Sequence, residues 1–181
     1  ATANYGILGA GASTDAPNPT GAFCWTDCYH GSHARASWLD TFLIGGGTGP
    51  GVFRMSVRLH GRLTMDLNGA PLTNSNSAVG FWMVGNPFQG CCSLTPIPPI
   101  YFGSLDIDQI VWFQQSFEYG VAFQVSAQLD AVTVAGWDSS STSDFIGTAI
   151  VTSAVVIDPA TGLPATGAVI KTGSGTDYSN L

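Results

Sequence analysis

Hydrophobic and polar residues alternate along two long segments of the chain. The first segment, 53–67, has apolar side chains at Phe53, Met55, Val57, Leu59, Leu63, Met65 and Leu67. The second, 117–129, has Phe117, Tyr119, Val121, Phe123, Val125, Ala127 and Leu129. Because a period of two puts successive side chains on opposite faces, each segment predicts one long β-strand with one face in a core.

Glycine and polar residues predict where these two strands bend or end. We expect a bulge or bend at Gly61 and a turn at Asn68-Gly69, which would end the first strand. In the second strand the apolar phase moves to Val132 and Val134 after Asp130, which predicts a bulge or a switch of sheet there.

Shorter β-branched or aromatic runs, bounded by Gly, Pro, Asn or Asp, predict further strands. They are Ser37–Ile44, Ala78–Val84, Ile107–Phe113, Thr148–Ile157 and Gly167–Thr172. Linkers are expected at Gly45–Gly51, Cys92–Pro99 and Asp138–Asp144. With 23 Gly and 10 Pro the chain is interrupted too often for long helices. We therefore predict an all-β fold, an antiparallel β-sandwich of jelly-roll or immunoglobulin-like type, with a single domain at 13–181.

The first twelve residues, 1–12, are uncharged and combine Tyr5, Ile7 and Leu8 with Gly and Ala. One interpretation is a frayed terminus. The other is an N-terminal arm that donates a strand to the sheet of a neighbouring subunit. A head-to-tail contact of this kind that does not close on itself makes a homopolymeric filament.

The composition excludes several classes of partner. The net charge is -7 and only 9% of residues are charged, so we expect no nucleic acid and no anionic membrane surface as partner. No apolar run approaches the twenty or so residues of a membrane span. The start, Ala1-Thr2-Ala3-Asn4, is typical of an end left by removal of a leader, which predicts an exported, extracellular or cell-surface protein.

Four cysteines, Cys24, Cys28, Cys91 and Cys92, predict two disulfides in such a protein. A bond between the neighbours Cys91 and Cys92 would close a strained ring, so we expect the first pair to bridge to the second, with the connectivity open. A zinc site with His30 and His33 is the alternative, although the usual C-x2-C spacing is absent.

Candidate catalytic groups are few, and we predict no enzyme activity, no metal and no cofactor. His30, His33, Asp27 and Asp40 lie close in sequence, but no G-x-S-x-G motif accompanies them. Asp106 and Asp108 would share one face of a strand, where we expect solvated edge residues. Other carboxylates that could add calcium ligands are Asp130, Asp138, Asp144 and Asp158, although no D-x-D-x-D-G loop links them.

Aromatic residues offer a second hypothesis, a carbohydrate-binding surface module. Flat rings stack on the apolar faces of sugars, and the candidates are Trp82, Trp112, Trp137, Tyr101 and Phe102. Trp82 and Trp112 sit in apolar runs and are expected in the core. Trp137, beside Gly136 and Asp138, is the predicted exposed sugar contact.

From Phe117 onward the sequence resembles the C-terminal part of bacterial PEP-CTERM proteins, exported proteins of Gram-negative bacteria. The matching segments are FEYGVAFQV (117–125), SDFIGTA (143–149), IDPATGLP (157–164) and SGTDY (174–178). Many members of this group form extracellular matrix, and the resemblance implies export and a β-sandwich but no particular activity. Leu181 is not followed by the family's Pro-Glu-Pro tail, and we expect that this tail was cleaved, was not resolved or was never present.

Glycosylation would suit a surface that is polar and carries short side chains. No Asn-x-Ser/Thr acceptor exists, so any attached sugar would be O-linked, with Thr95 and Ser139, Ser140, Ser141, Thr142 and Ser143 as candidates. The function predicted from the sequence is a structural protomer of an extracellular filament or matrix, with carbohydrate binding as the alternative.

Overall fold

The computed structural model describes residues 1–16, 30–67, 75–86, 97, 99–136 and 139–178. This part of the chain contains nine β-strands and no helix, so the protein is all-β as predicted. The strands are β1 (Thr2–Asn4), β2 (Ile7–Ala16), β3 (His30–Gly45), β4 (Pro50–Asp66), β5 (Asn76–Asn86), β6 (Gly103–Glu118), β7 (Phe123–Ala135), β8 (Ser139–Ile157) and β9 (Val169–Thr172).

The strands form two antiparallel sheets that share one hydrophobic core. A five-stranded sheet has the order β1-β2-β8-β4-β6, and a four-stranded sheet has the order β5-β7-β3-β9. Phe53 of the first sheet packs on Phe42 and Phe123 of the second, with ring centroids 5.0 and 5.4 Å apart. The arrangement is compatible with the predicted β-sandwich.

The alternation in the first long segment is confirmed. The apolar members Phe53, Met55, Val57, Leu59, Leu63 and Met65 are all at most 2% exposed. Arg54, Arg58 and Arg62 lie on the other face of β4. One face of β4 is therefore core and the other is the outer surface of the five-stranded sheet.

The second long segment is two strands, so the prediction of one strand over 117–129 is wrong. β6 ends at Glu118, and a turn through Tyr119 and Gly120 leads into β7 at Phe123. Gly120 has φ +79°, and its N–H donates to Ile44 O at 2.9 Å. Apolar residues keep the same phase on both sides of the turn, so their pattern gave no sign of it.

No bulge follows Asp130, so that prediction is also wrong. β7 pairs with β3 and β5 in unbroken register from Phe123 to Ala135. Ala131, Thr133 and Ala135 continue the inner face, whereas Val132 and Val134 are partly exposed on the outer face. The sequence suggested a change of face because the larger apolar residues here, the two valines, lie on the outer face, whereas the inner face carries small alanines.

The register is irregular opposite Gly61, but the extra residues belong to β8. Leu59 faces Ala149 and Arg62 faces Asp144, and β2 shows a shift at the same level of β8, with Leu8 opposite Ala149 and Ala10 opposite Phe145. A Cβ on Gly61 would lie 2.5 Å from Asp144 O and from Phe145 Cδ1. Gly61 thus gives room to a bulge in the neighbouring strand.

Four of the five predicted short strands lie within longer observed strands. The fifth, Gly167–Thr172, overlaps β9 but starts too early, because β9 begins at Val169. The predicted linker Asp138–Asp144 is wrong over Ser139–Asp144, because those residues begin β8. Ser141 and Ser143 face the other sheet, where Ser141 Oγ donates to Asn76 O at 2.7 Å and Ser143 Oγ to Ala78 O at 3.0 Å. The predicted Asn68-Gly69 turn, and the linker Cys92–Pro99 apart from Ile97 and Pro99, lie outside the described residues.

Candidate functional site

The predicted N-terminal arm is folded into the five-stranded sheet of its own chain. β2 lies between β1 and β8, with Ile7 opposite Ile150 and Ala16 opposite Ser139. The predicted boundary between arm and domain, at residue 12, falls in the middle of β2. The strand is therefore an integral part of the fold in this conformation.

The inner face of β2 fills a slot between β8 and the four-stranded sheet. Leu8 is 1% exposed, Ala10 0% and Ala12 7%, and all three belong to the shared core. Farther along, the hydroxyls of Thr14 and Thr133 are 2.7 Å apart, which joins β2 to β7 across the two sheets. Small side chains let β2 approach the opposite sheet closely, so Leu8 is the largest apolar side chain that β2 contributes to this slot.

A tight turn closes the N-terminal end of the slot. Gly6 has φ +80°, and its carbonyl accepts a hydrogen bond from Val151 N at 2.8 Å. Beyond the turn, β1 runs back along β2, with Thr2 opposite Gly9. Of the predicted arm residues, Leu8 is buried, whereas Tyr5 and Ile7 are 43% and 40% exposed.

The outer face of this sheet carries apolar residues around an ion pair. One row across four strands runs Ile7, Ile150, Arg58 and Ile110. Arg58 donates to both carboxylate oxygens of Asp108 at 2.7 Å. These hydrogen bonds raise the pKa of Arg58 and lower the pKa of Asp108. Both side chains are about half exposed, so this ion pair fixes their relative orientation but contributes little to the stability of the fold.

Asp106 and Asp108 share one face of β6, as predicted, but each is bound to an arginine. Arg62 Nε lies 2.8 Å from Asp106 Oδ1. Asp144 instead accepts a hydrogen bond from Ile146 N within the irregular part of β8, and Asp158 accepts one from Ala160 N in the turn after β8. Among the described residues, no group of three or more His, Cys, Asp or Glu side chains is placed to hold a metal ion.

The candidate hydrolytic group is not assembled. Asp40 is buried on the inner face of β3, where it accepts hydrogen bonds from Ser174 and Tyr178. His33 lies on the outer face of the same strand, 3.3 Å from Asp130, and His30 is exposed at its start. Odd and even positions of a strand point to opposite faces, so His33 and Asp40 cannot meet. Asp27 lies outside the described residues.

The predicted aromatic platform is dispersed. Trp112 is 55% exposed on the outer face of the five-stranded sheet, so the expectation that it lies in the core is wrong. Trp82 is partly exposed on the outer face of the four-stranded sheet, and its placement in the core is likewise corrected. Tyr101 and Phe102 are exposed just before β6. Trp137 lies outside the described residues.

The candidate glycosylation residues divide by face. Ser139, Ser141 and Ser143 are at most 3% exposed, and their hydroxyls bond to the chain. Ser140 is partly exposed and Thr142 is exposed, so only these two of the segment offer a hydroxyl to solvent. Thr95 and the four cysteines, Cys24, Cys28, Cys91 and Cys92, lie outside the described residues.

Two features of the structure were not predicted from the sequence. One is the anchoring of the C-terminal segment by Asp40, and the other is a polar cluster around Asp130 on the outer face of the four-stranded sheet. For the first, the available signal was Asp40, a carboxylate between the apolar positions Trp38 and Phe42 of one strand face. For the second there was none, because Asp130 stands at a position where alternation predicts a polar side chain. Within the described ranges, no helix has the length and apolar character to cross a bilayer.

No protein-family model matches the sequence, and no curated protein matches it significantly.

Proposed function

We propose that this chain is a structural protomer of an extracellular or cell-surface filament or matrix, and that subunits join by exchanging strand β2. The observation that carries the proposal is the position of β2. Strand β2 fills, with Leu8, Ala10 and Ala12, a slot between β8 and the opposite sheet. The same slot accepts the same strand from a neighbouring chain.

In the exchanged assembly, β2 makes with a neighbouring chain the same contacts that it makes within its own chain in the monomer. The free-energy difference between the closed monomer and the assembly is then set by association entropy and by new contacts between subunits. Because β2 and its slot are different surfaces, repeated exchange adds subunits head to tail.

Two further features support a role in assembly. The chain has few charges, and its outer surface carries Ile110, Trp112 and Ile146, which are 55–65% exposed. Such side chains favour contact between subunits. Export from a Gram-negative cell, a jelly-roll or immunoglobulin-like sandwich, two disulfides and O-linked sugar belong to the same proposal. Mapping of disulfide-linked peptides and glycopeptides by mass spectrometry tests the last two.

The decisive experiment mixes two variants that each carry one added cysteine. Ser13 and Thr142 lie directly opposite each other on β2 and β8, and both are exposed, so cysteines there are at disulfide distance. A Ser13→Cys subunit assembled with a Thr142→Cys subunit forms a 13–142 cross-link only when β2 of one chain pairs with β8 of another. Peptide mapping after mild oxidation distinguishes this bridge from those of the native cysteines.

The matched control places the second cysteine at Gln114 instead of Thr142. Gln114→Cys is exposed on β6, which is separated from β2 by β8 and β4, so it gives no 13–114 cross-link in an exchanged dimer. Electron microscopy of the native material provides the second readout. Filaments without the 13–142 bridge would refute strand exchange alone, and monomers at high concentration would refute the structural role.

A further inference from the structure

The outer face of the four-stranded sheet carries a polar cluster that assembly through β2 does not use. Asp130 on β7 is 4% exposed although its face of the sheet is the outer one. Arg35 on β3 donates to Asp130 Oδ1 from Nε at 2.7 Å and to Oδ2 from Nη2 at 3.2 Å. Gln128 Nε2 donates to Oδ2 at 3.0 Å, and His33 Nε2 lies 3.3 Å from Oδ1.

These contacts hold the surrounding side chains in fixed orientations. Asp130 uses both oxygens on its neighbours, and its hydrogen bond to Arg35 raises the pKa of that guanidinium. The Gln128 side-chain amide uses its N–H to donate to Asp130, so the side-chain carbonyl oxygen of Gln128 remains an acceptor for a ligand. Arg35, whose side chain is 55% exposed, keeps further N–H groups for a ligand. The cluster thus presents ordered donors and acceptors at the surface.

An aromatic ring borders the cluster. Trp82 on β5 is directly opposite Gln128, and Gly80 is directly opposite Asp130. The six-membered ring of Trp82 extends over Gly80, because a Cβ there would lie 2.8 Å from Cη2 and 3.0 Å from Cζ3. Glycine at 80 therefore allows the indole to lie along the sheet beside the carboxylate.

The charges at the site favour an uncharged ligand. Asp130 and Arg35 neutralise each other, so the site has little attraction for a small ion. An aromatic ring next to oriented amide and guanidinium groups matches a ligand that has one apolar face and a rim of hydroxyls. Three adjacent strands give the site a width of about 10 Å, which suits one or two sugar rings.

We infer that Trp82, Gln128 and Arg35, held by Asp130, form a binding site for a neutral pyranose chain. The sugar ring stacks on the indole, and its hydroxyls bond to the Gln128 carbonyl and the Arg35 N–H groups. The inference does not depend on strand exchange, because the site lies on the outer face of the four-stranded sheet and β2 belongs to the five-stranded sheet.

The test is calorimetric titration of the full-length protein with neutral hexasaccharides of β-glucose, α-glucose and mannose. We expect at least one of them to bind, and Trp82→Ala and Gln128→Ala each to weaken that binding at least tenfold. The matched control is Trp112→Ala, which removes an exposed tryptophan from the other sheet and leaves affinity unchanged.

A second variant separates the shape of the site from the stability of the fold. Gly80→Val displaces the indole without removing it, so it weakens binding while the circular dichroism spectrum stays that of the parent. The inference is overturned if none of the three sugars binds, if Trp82→Ala binds like the parent, or if Trp112→Ala loses as much affinity as Trp82→Ala.

Discussion

Tyr178 donates a hydrogen bond to Asp40 across 138 positions of sequence, with 3.0 Å between Tyr178 Oη and Asp40 Oδ2. Both side chains are buried, at 1% and 3% exposure. Asp40 also accepts bonds from the N–H and the hydroxyl of Ser174. One buried carboxylate on β3 thus fixes the segment after β9 against the core.

Removing only the hydroxyl of Tyr178 tests this anchor. We expect Tyr178→Phe to lower the free energy of unfolding by about 1–3 kcal/mol, because a bond to a buried charged acceptor is lost while the ring packing remains. Urea unfolding followed by circular dichroism measures the change. Tyr101→Phe, at an exposed position, is the control and should match the parent. Equal stability of both variants would contradict the anchoring role.

The same residue gives the protein a specific sensitivity to alkali. Burial, and after it the negative charge of Asp40, raise the pKa of Tyr178 above its ordinary value. The folded state therefore keeps the phenol proton at a pH where the unfolded chain loses it. This contribution is complete below pH about 10 and is lost as the pH rises further.

Urea midpoints between pH 8 and 11 check this dependence. We expect the parent to lose stability above pH about 10 and Tyr178→Phe to lose less over the same interval. Parallel curves for the two proteins would show that other groups govern the alkaline response.

Gly61 provides a test of the β8 bulge. In Gly61→Ala the new methyl would lie 2.5 Å from Asp144 O, a backbone atom that cannot move aside cheaply. We expect a loss of about 1–3 kcal/mol in the free energy of unfolding. Gly45→Ala is the matched control, since a Cβ at the end of β3 meets nothing within 4 Å. Similar unfolding midpoints for the two variants would refute the close approach.

The inward-facing serines of β8 provide a fourth prediction. Ser141 is 1% exposed and donates to Asn76 O, so Ser141→Val removes a buried bond and adds a methyl where the sheets are close. We expect a loss of about 2–3 kcal/mol. Thr142→Val, the adjacent exposed position, should change stability by less than about 0.5 kcal/mol. Chemical denaturation of both variants measures the difference, and equal losses would contradict the inward orientation of Ser141.

The local pattern was sufficient to predict an all-β chain with antiparallel sheets and the faces of its most regular strand. Phe53, Met55 and Arg54 occupy the faces that alternation predicted, because the period of two is a property of the strand itself. The shared face of Asp106 and Asp108 follows from the same rule. These features need no knowledge of any distant residue.

Features that depend on distant residues were not available from the pattern. Trp112 lies on the outer face because β6 turns its other side to the core. Ser141 faces inward, where its hydroxyl donates a hydrogen bond to the backbone carbonyl of Asn76 on the other sheet. The turn at Gly120 separates two strands whose apolar residues keep the same phase. Each depends on which face is covered, and that is decided by strands far away in sequence.

The sequence by itself determined that this chain folds into amphipathic antiparallel strands with few charges, since side-chain alternation and composition are local properties. Only the tertiary structure decided that the uncharged N-terminal segment fills a slot beside β8, and that Trp82 lies next to the Asp130 cluster. The physical reason is that strand pairing joins backbone groups up to 140 or so residues apart, such as Ile7 and Ile150. No local pattern of apolar residues specifies which partner such a strand will take.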